Sequence, residues 1–181
     1  MYIEPDIKSS YSQNNIGKTI YDIIFKIKPS RVLEFGVLHG YSTICIGQAL
    51  RDIGYGILTS YDLFEEYPYN NSRYDDVVKT IYEYGLSEII NLKKGNFEEV
   101  NLKDNFDLIH LDISNDGEII LDIFNRFPNS SILFEGGTLE RDNVEWMSKY
   151  NKRKIYPLKE KLGYEIINYD FPGLSLIDRS N

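Results

Sequence analysis

The fold predicted for this chain is an α/β domain: a doubly wound, mostly parallel seven-stranded sheet with helices on both faces and an antiparallel strand in a C-terminal hairpin. Three observations predict it. Short apolar runs alternate with longer amphipathic ones along most of the sequence. Gly54 and Gly85 fall just past two of the amphipathic runs, where a left-handed C-terminal cap belongs. The tail "YEIINYDFPGLSLIDR" holds two strand-like runs parted only by "DFPG". That is too short for a crossover and suits a hairpin, so one of the last strands must run antiparallel to its neighbour.

The elements follow in order. Ile16, Ile20, Ile23, Ile24 and Ile27 recur at helical spacing, with Asn14 or Asn15 as cap and Pro29 as stop, which predicts a helix over about 14–28. Strands are expected near 32–35, 56–61, 89–94, 106–111 and 131–134, and helices between them near 42–53, 73–84, 116–127 and 138–150. "YPYNNS", 67–72, is the most loop-like stretch. Without a repeat, a low-complexity tract or a linker, residues 1–181 read as one domain whose core spans about 30–181.

A net charge of -8, from 28 acidic and 20 basic residues, argues against a nucleic-acid partner, since binding to a phosphate backbone draws on Lys and Arg. Cys45 is the only cysteine, so no internal disulfide and no thiolate zinc cluster is expected. "MYIEPDIKSS" lacks the layout of a secretory signal, and no apolar stretch approaches the roughly 20 residues that span a bilayer. The expectation is a soluble, cytoplasmic protein without a membrane partner; homo-oligomerisation is left open.

In a parallel sheet, ligands sit at the carboxyl ends of the strands. "RVLEFGVLHGYST", 31–43, is the place to look. Gly36 leaves room for a ligand against the main chain, Gly40 brings the turn close to the next helix, and Ser42 or Thr43 is expected to cap that helix. Leu38 stands where a dinucleotide fingerprint needs its second glycine, and no lysine followed by Ser or Thr comes after Gly40, which excludes a P-loop. Glu34 would repel phosphate and attract an ammonium group. Asp62, at the end of the second strand, can accept two hydrogen bonds from a ribose diol.

Four stretches in order, "LEFGVLHGYST", "LTSYDL", "KKGNFEEV" and "FDLIHLDISNDGEIILDIF", resemble the motifs of class I S-adenosylmethionine-dependent methyltransferases, nearest to the small O-methyltransferase-like members. The resemblance runs from about Asn15 to Arg179 and includes the hairpin tail. It implies a Rossmann-like fold, S-adenosyl-L-methionine as cofactor and a small-molecule methyl acceptor, with oxygen preferred over nitrogen as the methylated atom. It also implies that Glu34, Gly36, Gly40 and Ser42 serve the methionine end of the cofactor, that Asp62 takes the ribose, and that Leu63, Gly95, Asn96 and Phe97 lie against adenine, with Asp112 completing the set. Asn96 is nearly as well explained as a helix cap before "FEEV".

A hydroxyl acceptor benefits from a general base. Asp112 and Glu135, where the fourth and fifth strands end, and His39 in the glycine loop are the candidates. His110 shares a face with Asp112 but reads as a hydrogen-bonded position inside the sheet. Metal-assisted relatives place Asp and Asn after the fifth strand, whereas "FEGG" offers Glu135 and Gly136. A divalent metal held by Asp112, Glu135 and Asp116 is therefore disfavoured. Asn115 stands near the place where small relatives carry a histidine. Arg141 is read as an exposed ion pair with Glu145 at four-residue spacing, ahead of a role on an anionic substrate group. The tyrosines of "SYDLFEEYPYNNSRY" either wall the acceptor pocket or pack on the sheet edge. The incomplete base and metal set keeps a second reading alive, a non-catalytic methyltransferase-fold binding or assembly subunit. Leu38 and the hairpin tail count against a nicotinamide-dependent oxidoreductase.

Overall fold

The computed structural model describes residues 1–68, 71–98 and 105–180, and the chain divides into two compact units, Met1–Asp104 and Asn105–Asn181. Parts of the loop-like "YPYNNS" and of "KKGNFEEV" lie outside the described residues.

In the N-terminal unit the isoleucine run forms α1 (Ile16–Ile27), whose apolar stripe is buried and whose chain leaves through Lys28 in a left-handed cap. Asn15 precedes it but makes no side-chain cap bond. Three parallel strands follow in the order β3-β2-β1: β1 (Arg31–Phe35), β2 (Ile57–Asp62) and β3 (Ile90–Lys94). Their crossovers carry α2 (Tyr41–Ile53) and α3 (Tyr74–Glu83). Four successive residues of β1, Val32 to Phe35, are buried. Side chains alternate across a strand, so both faces of β1 are covered. The register pairs Glu34 with Ser60 and Phe35 with Tyr61, which brings the ends of β1 and β2 side by side.

The C-terminal unit has the order β4-β5-β7-β6, from β4 (Leu108–Leu111), β5 (Ser131–Glu135), β6 (Glu165–Asn168) and β7 (Leu174–Ile177). β4 and β5 are parallel, and β7 runs antiparallel to both β5 and β6, as the short "DFPG" connection requires. Among the described residues this gives seven strands, of which β7 alone is reversed. Between β4 and β5 lies α4 (Gly117–Arg126), N-capped by Asp116.

The helix expected over 138–150 is broken. Thr138 caps α5 (Leu139–Asp142), the chain then extends at Val144, and α6 (Glu145–Lys149) starts afresh. A further turn, α7 (Lys159–Leu162), is too short to announce itself by periodicity. No described helix is long and apolar enough to cross a membrane.

Candidate functional site

The glycine loop is built from backbone geometry. Gly36 N–H donates to Tyr61 O at 3.0 Å, extending the β1–β2 pairing one residue past the strand. Gly36 and Gly40 have φ of 90° and 88°, and between them Leu38 holds φ 53° with its side chain about half exposed. A leucine in that conformation carries strain of about 1 kcal/mol or more, so something must hold it there. Asp62 does. Its Oδ2 accepts from the amides of Val37 at 2.7 Å and Leu38 at 2.9 Å, while Oδ1 accepts from Phe64 N–H at 2.8 Å. Hydrogen bonds to an ionised carboxylate are among the strongest available, and here three of them tie the loop, the end of β2 and the next turn together. The carboxylate read from the sequence as a ribose ligand is thus first an organiser of main-chain amides.

Glu34 differs from its sequence reading. It has no exposed surface, so it does not face an opening. Oε1 accepts from Ser42 Oγ at 2.7 Å, and Oε2 accepts from Thr43 Oγ1 at 2.7 Å and Ser60 Oγ at 2.6 Å. Ser42 and Thr43 accordingly do not cap α2, whose N-cap is Gly40 with no side-chain bond. A buried carboxylate needs donors more urgently than helix amides need acceptors, and it takes both hydroxyls. Glu34 and Ser42 therefore brace the loop from within. Ser60 shares β2 with Thr59 and Asp62, and only the register that sets it opposite Glu34 marks it out as a donor to that carboxylate.

The other N-terminal candidates gather near the same strand ends. Gly95 N–H donates to Asp62 O at 3.1 Å, and the Phe97 ring meets Phe35 edge-on with centroids 6.0 Å apart. Asn96 Oδ1 accepts from Glu98 N–H at 3.2 Å, the cap-like role weighed for it. Leu63 and His39 are partly exposed. Of the tyrosine-rich segment, Tyr74 packs on buried Phe64 at 5.5 Å and donates to Leu92 O at 3.1 Å, which is edge packing.

In the C-terminal unit Asp112 follows β4 and is partly exposed, while His110 within β4 is fully buried. Two of the three residues weighed for a metal, Asp116 and Glu135, are engaged with other groups. Asp116 accepts from Glu118 N–H at 3.0 Å and pairs with Lys152 at 3.1 Å. Glu135 Oε1 accepts from Arg141 Nε at 2.8 Å and Nη2 at 2.6 Å. Among the described residues no three His, Cys, Asp or Glu side chains are grouped to hold a metal ion. The ion pair commits Glu135 to Arg141 rather than to an acceptor hydroxyl.

Arg141 is not the exposed partner of Glu145. It is 8% exposed, because the break after Asp142 puts the two residues on different helices. Its guanidinium lies 4.9 Å from the Trp146 ring and 5.4 Å from Phe171, and Nη1 finds no hydrogen-bond partner among the described residues. Asn115, also buried, donates through Nδ2 to Asp142 Oδ1 and to Met147 Sδ, both at 3.3 Å, and its Oδ1 is likewise unpartnered. Asp142 in turn accepts from the amides of Ile155 at 3.1 Å and Tyr156 at 2.7 Å. Gly136 has φ 91°, and a β-carbon there would stand 1.7 Å from Asn115 Oδ1. Ser175 Oγ donates to Gly136 O and Tyr164 Oη to Gly137 O, each at 2.7 Å, so the loop after β5 is fixed by its own carbonyls.

A family model described as a methyltransferase domain matches residues 33–143. No curated protein matches the sequence. Among solved structures the fold resembles a cofactor-bound protein from MTB, with TM-score 0.70 and 18% identity over 98% of this chain and 84% of that one. It also resembles a Podospora anserina methyltransferase bound to SAH, with TM-score 0.65 and 20% identity over 93% and 78% of the two chains. The O-methyltransferase TomG from Streptomyces achromogenes, in complex with SAM, gives TM-score 0.64 and 17% identity over 95% and 81%. With the family model spanning more than half of its length, and the Rossmann-like sheet with its antiparallel hairpin in place, the chain belongs to the class I S-adenosylmethionine-dependent methyltransferase family.

Proposed function

We propose that this protein binds S-adenosyl-L-methionine at the carboxyl ends of β1 and β2 and transfers its methyl group to an oxygen of a small-molecule acceptor. The observation that carries the reading is the strained loop from Gly36 to Gly40, fixed in place by Asp62 through the Val37 and Leu38 amides. A leucine kept in a left-handed conformation at a strand end is the kind of outlier that clusters at ligand sites. The residues fit the cofactor: Gly36 and Gly40 let its amino-acid end approach main chain, Asp62 offers carboxylate oxygens to the ribose, and Leu63, Gly95, Asn96 and Phe97 supply surface for adenine. Glu34 and Ser42 act on the cofactor through the loop they brace. Bound there, the cofactor supplies a methyl group already activated by its sulfonium.

The protein's own contribution is orientation, which can supply much of the rate in a single in-line transfer. Asp112 and His39, both partly exposed, are the remaining candidates to take a proton from the acceptor. O-methyltransferases among the similar solved folds favour oxygen as the methylated atom. Calorimetry with S-adenosylhomocysteine tests the cofactor site: the wild type is expected to bind, and Asp62→Ala to lose about 100-fold in affinity, roughly 2.7 kcal/mol. Absence of binding, or equal binding by the variant, would refute it. Binding without methylated product over a broad panel of hydroxyl and amine acceptors would favour the non-catalytic reading instead.

A further inference from the structure

We infer that Arg141 recognises a carboxylate on the methyl acceptor; the inference deepens the acceptor reading above and rests on it. A guanidinium presents five N–H donors along planar edges that match the two oxygens of a carboxylate. Glu135 occupies the edge formed by Nε and Nη2, and does so through Oε1 alone. Nη1, with two N–H groups, has no acceptor among the described residues although Arg141 is more than nine-tenths buried. Leaving charged donors buried and unpaired is costly. The Trp146 and Phe171 rings offset part of that through attraction to the cation, but they provide no acceptor oxygen. An arrangement that holds a guanidinium by one edge and two rings, and leaves the Nη1 side unclaimed, is fitted to a second planar oxyanion.

Its place in the fold agrees. Glu135 ends β5 and Gly136 begins the loop beyond it, at the carboxyl end of a parallel strand, where ligands of such sheets bind. On one side the cover over Arg141 is the Phe171 ring, 5.4 Å away on the turn between β6 and β7 and 52% exposed, so a ligand reaching Nη1 would displace a surface side chain and not a core one. Glu135 already neutralises the arginine. Selectivity for an acid therefore comes from forked hydrogen bonds more than from net attraction, and about tenfold is the expected scale.

The test uses matched acceptors: 4-hydroxybenzoate and 3-hydroxybutyrate, each against its methyl ester, with binding read by calorimetry without cofactor. At least one acid is expected to bind the wild type about tenfold or more tightly than its ester, and Arg141→Gln to abolish the difference. Acids and esters binding alike in both pairs, or an acid preference that survives Arg141→Gln, would overturn the inference. Should Arg141→Gln fail to fold, Arg141→Lys decides, because it keeps the charge and loses the fork: the preference must fall at least threefold, and an unchanged preference refutes the role. A crystal structure soaked with the acid that showed only water at Nη1 would refute it too. S-adenosylhomocysteine affinity, measured separately, fails only if the cofactor reading fails, so the two outcomes are distinguishable.

Discussion

The polar side chains at the strand ends of the two units differ in how fully they are satisfied. In the N-terminal unit Glu34 is surrounded by three hydroxyl donors and Asp62 by three amides, each within 2.6–2.9 Å. In the C-terminal unit Arg141 Nη1 and Asn115 Oδ1 are buried without a partner among the described residues. A satisfied polar network specifies one rigid geometry, whereas an unsatisfied buried atom is a place where the protein is complete only with something added. The two proposals made above divide along the same line, the cofactor site resting on the satisfied groups and the acceptor carboxylate on the unsatisfied Nη1.

If that contrast is real, the largest loss of stability should come from Glu34→Ala. Three buried hydroxyls would lose their shared acceptor, at about 1 kcal/mol or more each, so urea unfolding should report a loss of roughly 3 kcal/mol. A loss below about 1 kcal/mol would break the comparison. Gly136→Ala comes next, at about 2 kcal/mol, because the new methyl group meets Asn115 Oδ1 on a backbone with φ 91°. Asn115→Ala alone should cost only about 1 kcal/mol, since it removes two long hydrogen bonds and one unpartnered oxygen. Combined with Gly136→Ala it should recover part of the loss, and strict additivity would show that the steric contact is not the cause.

The smallest effect sharpens the contrast between buried and exposed carboxylates. Lys94, in an ion pair with Glu65, and the Tyr74 amide at 3.0 Å hold the Glu65 carboxyl at about 2, down from 4.5. Because the folded value is depressed, this stabilisation is present above the ordinary value and is lost as pH falls from about 4.5 towards 2. The Glu65 side chain is solvent-exposed, so solvent screens most of it. Thermal melts of Glu65→Gln should match the wild type at pH 3 more closely than at pH 7, by a small margin; a wider gap at pH 3 would reverse the sign.

Much of this was legible in the residues. The isoleucine spacing of α1, the alternation of strands with helices and the four-residue hairpin connection each state a local geometry, and each formed. The broken helix after Thr138 was not legible, because "VEWM" continues an apolar period across the break and so conceals the extended Val144. A continuous helix would place Arg141 four residues from Glu145 on one face, which is why its buried guanidinium reads as a surface charge in the sequence. For Glu34 the acid beside a glycine turn was visible, but its direction was not. On a strand buried on both faces, period-two alternation does not say which face a ligand will approach. Ser60, two elements away in sequence, decided the matter through register alone.

β7 lies between β5 and β6 and is buried along its whole length. A ribosome therefore releases the flanking strands before the one that joins them, and until Leu174–Ile177 emerges both carry bare backbone edges open to wrong pairing. Fragments cut in the turn near Pro172 should precipitate rather than persist as a smaller enzyme.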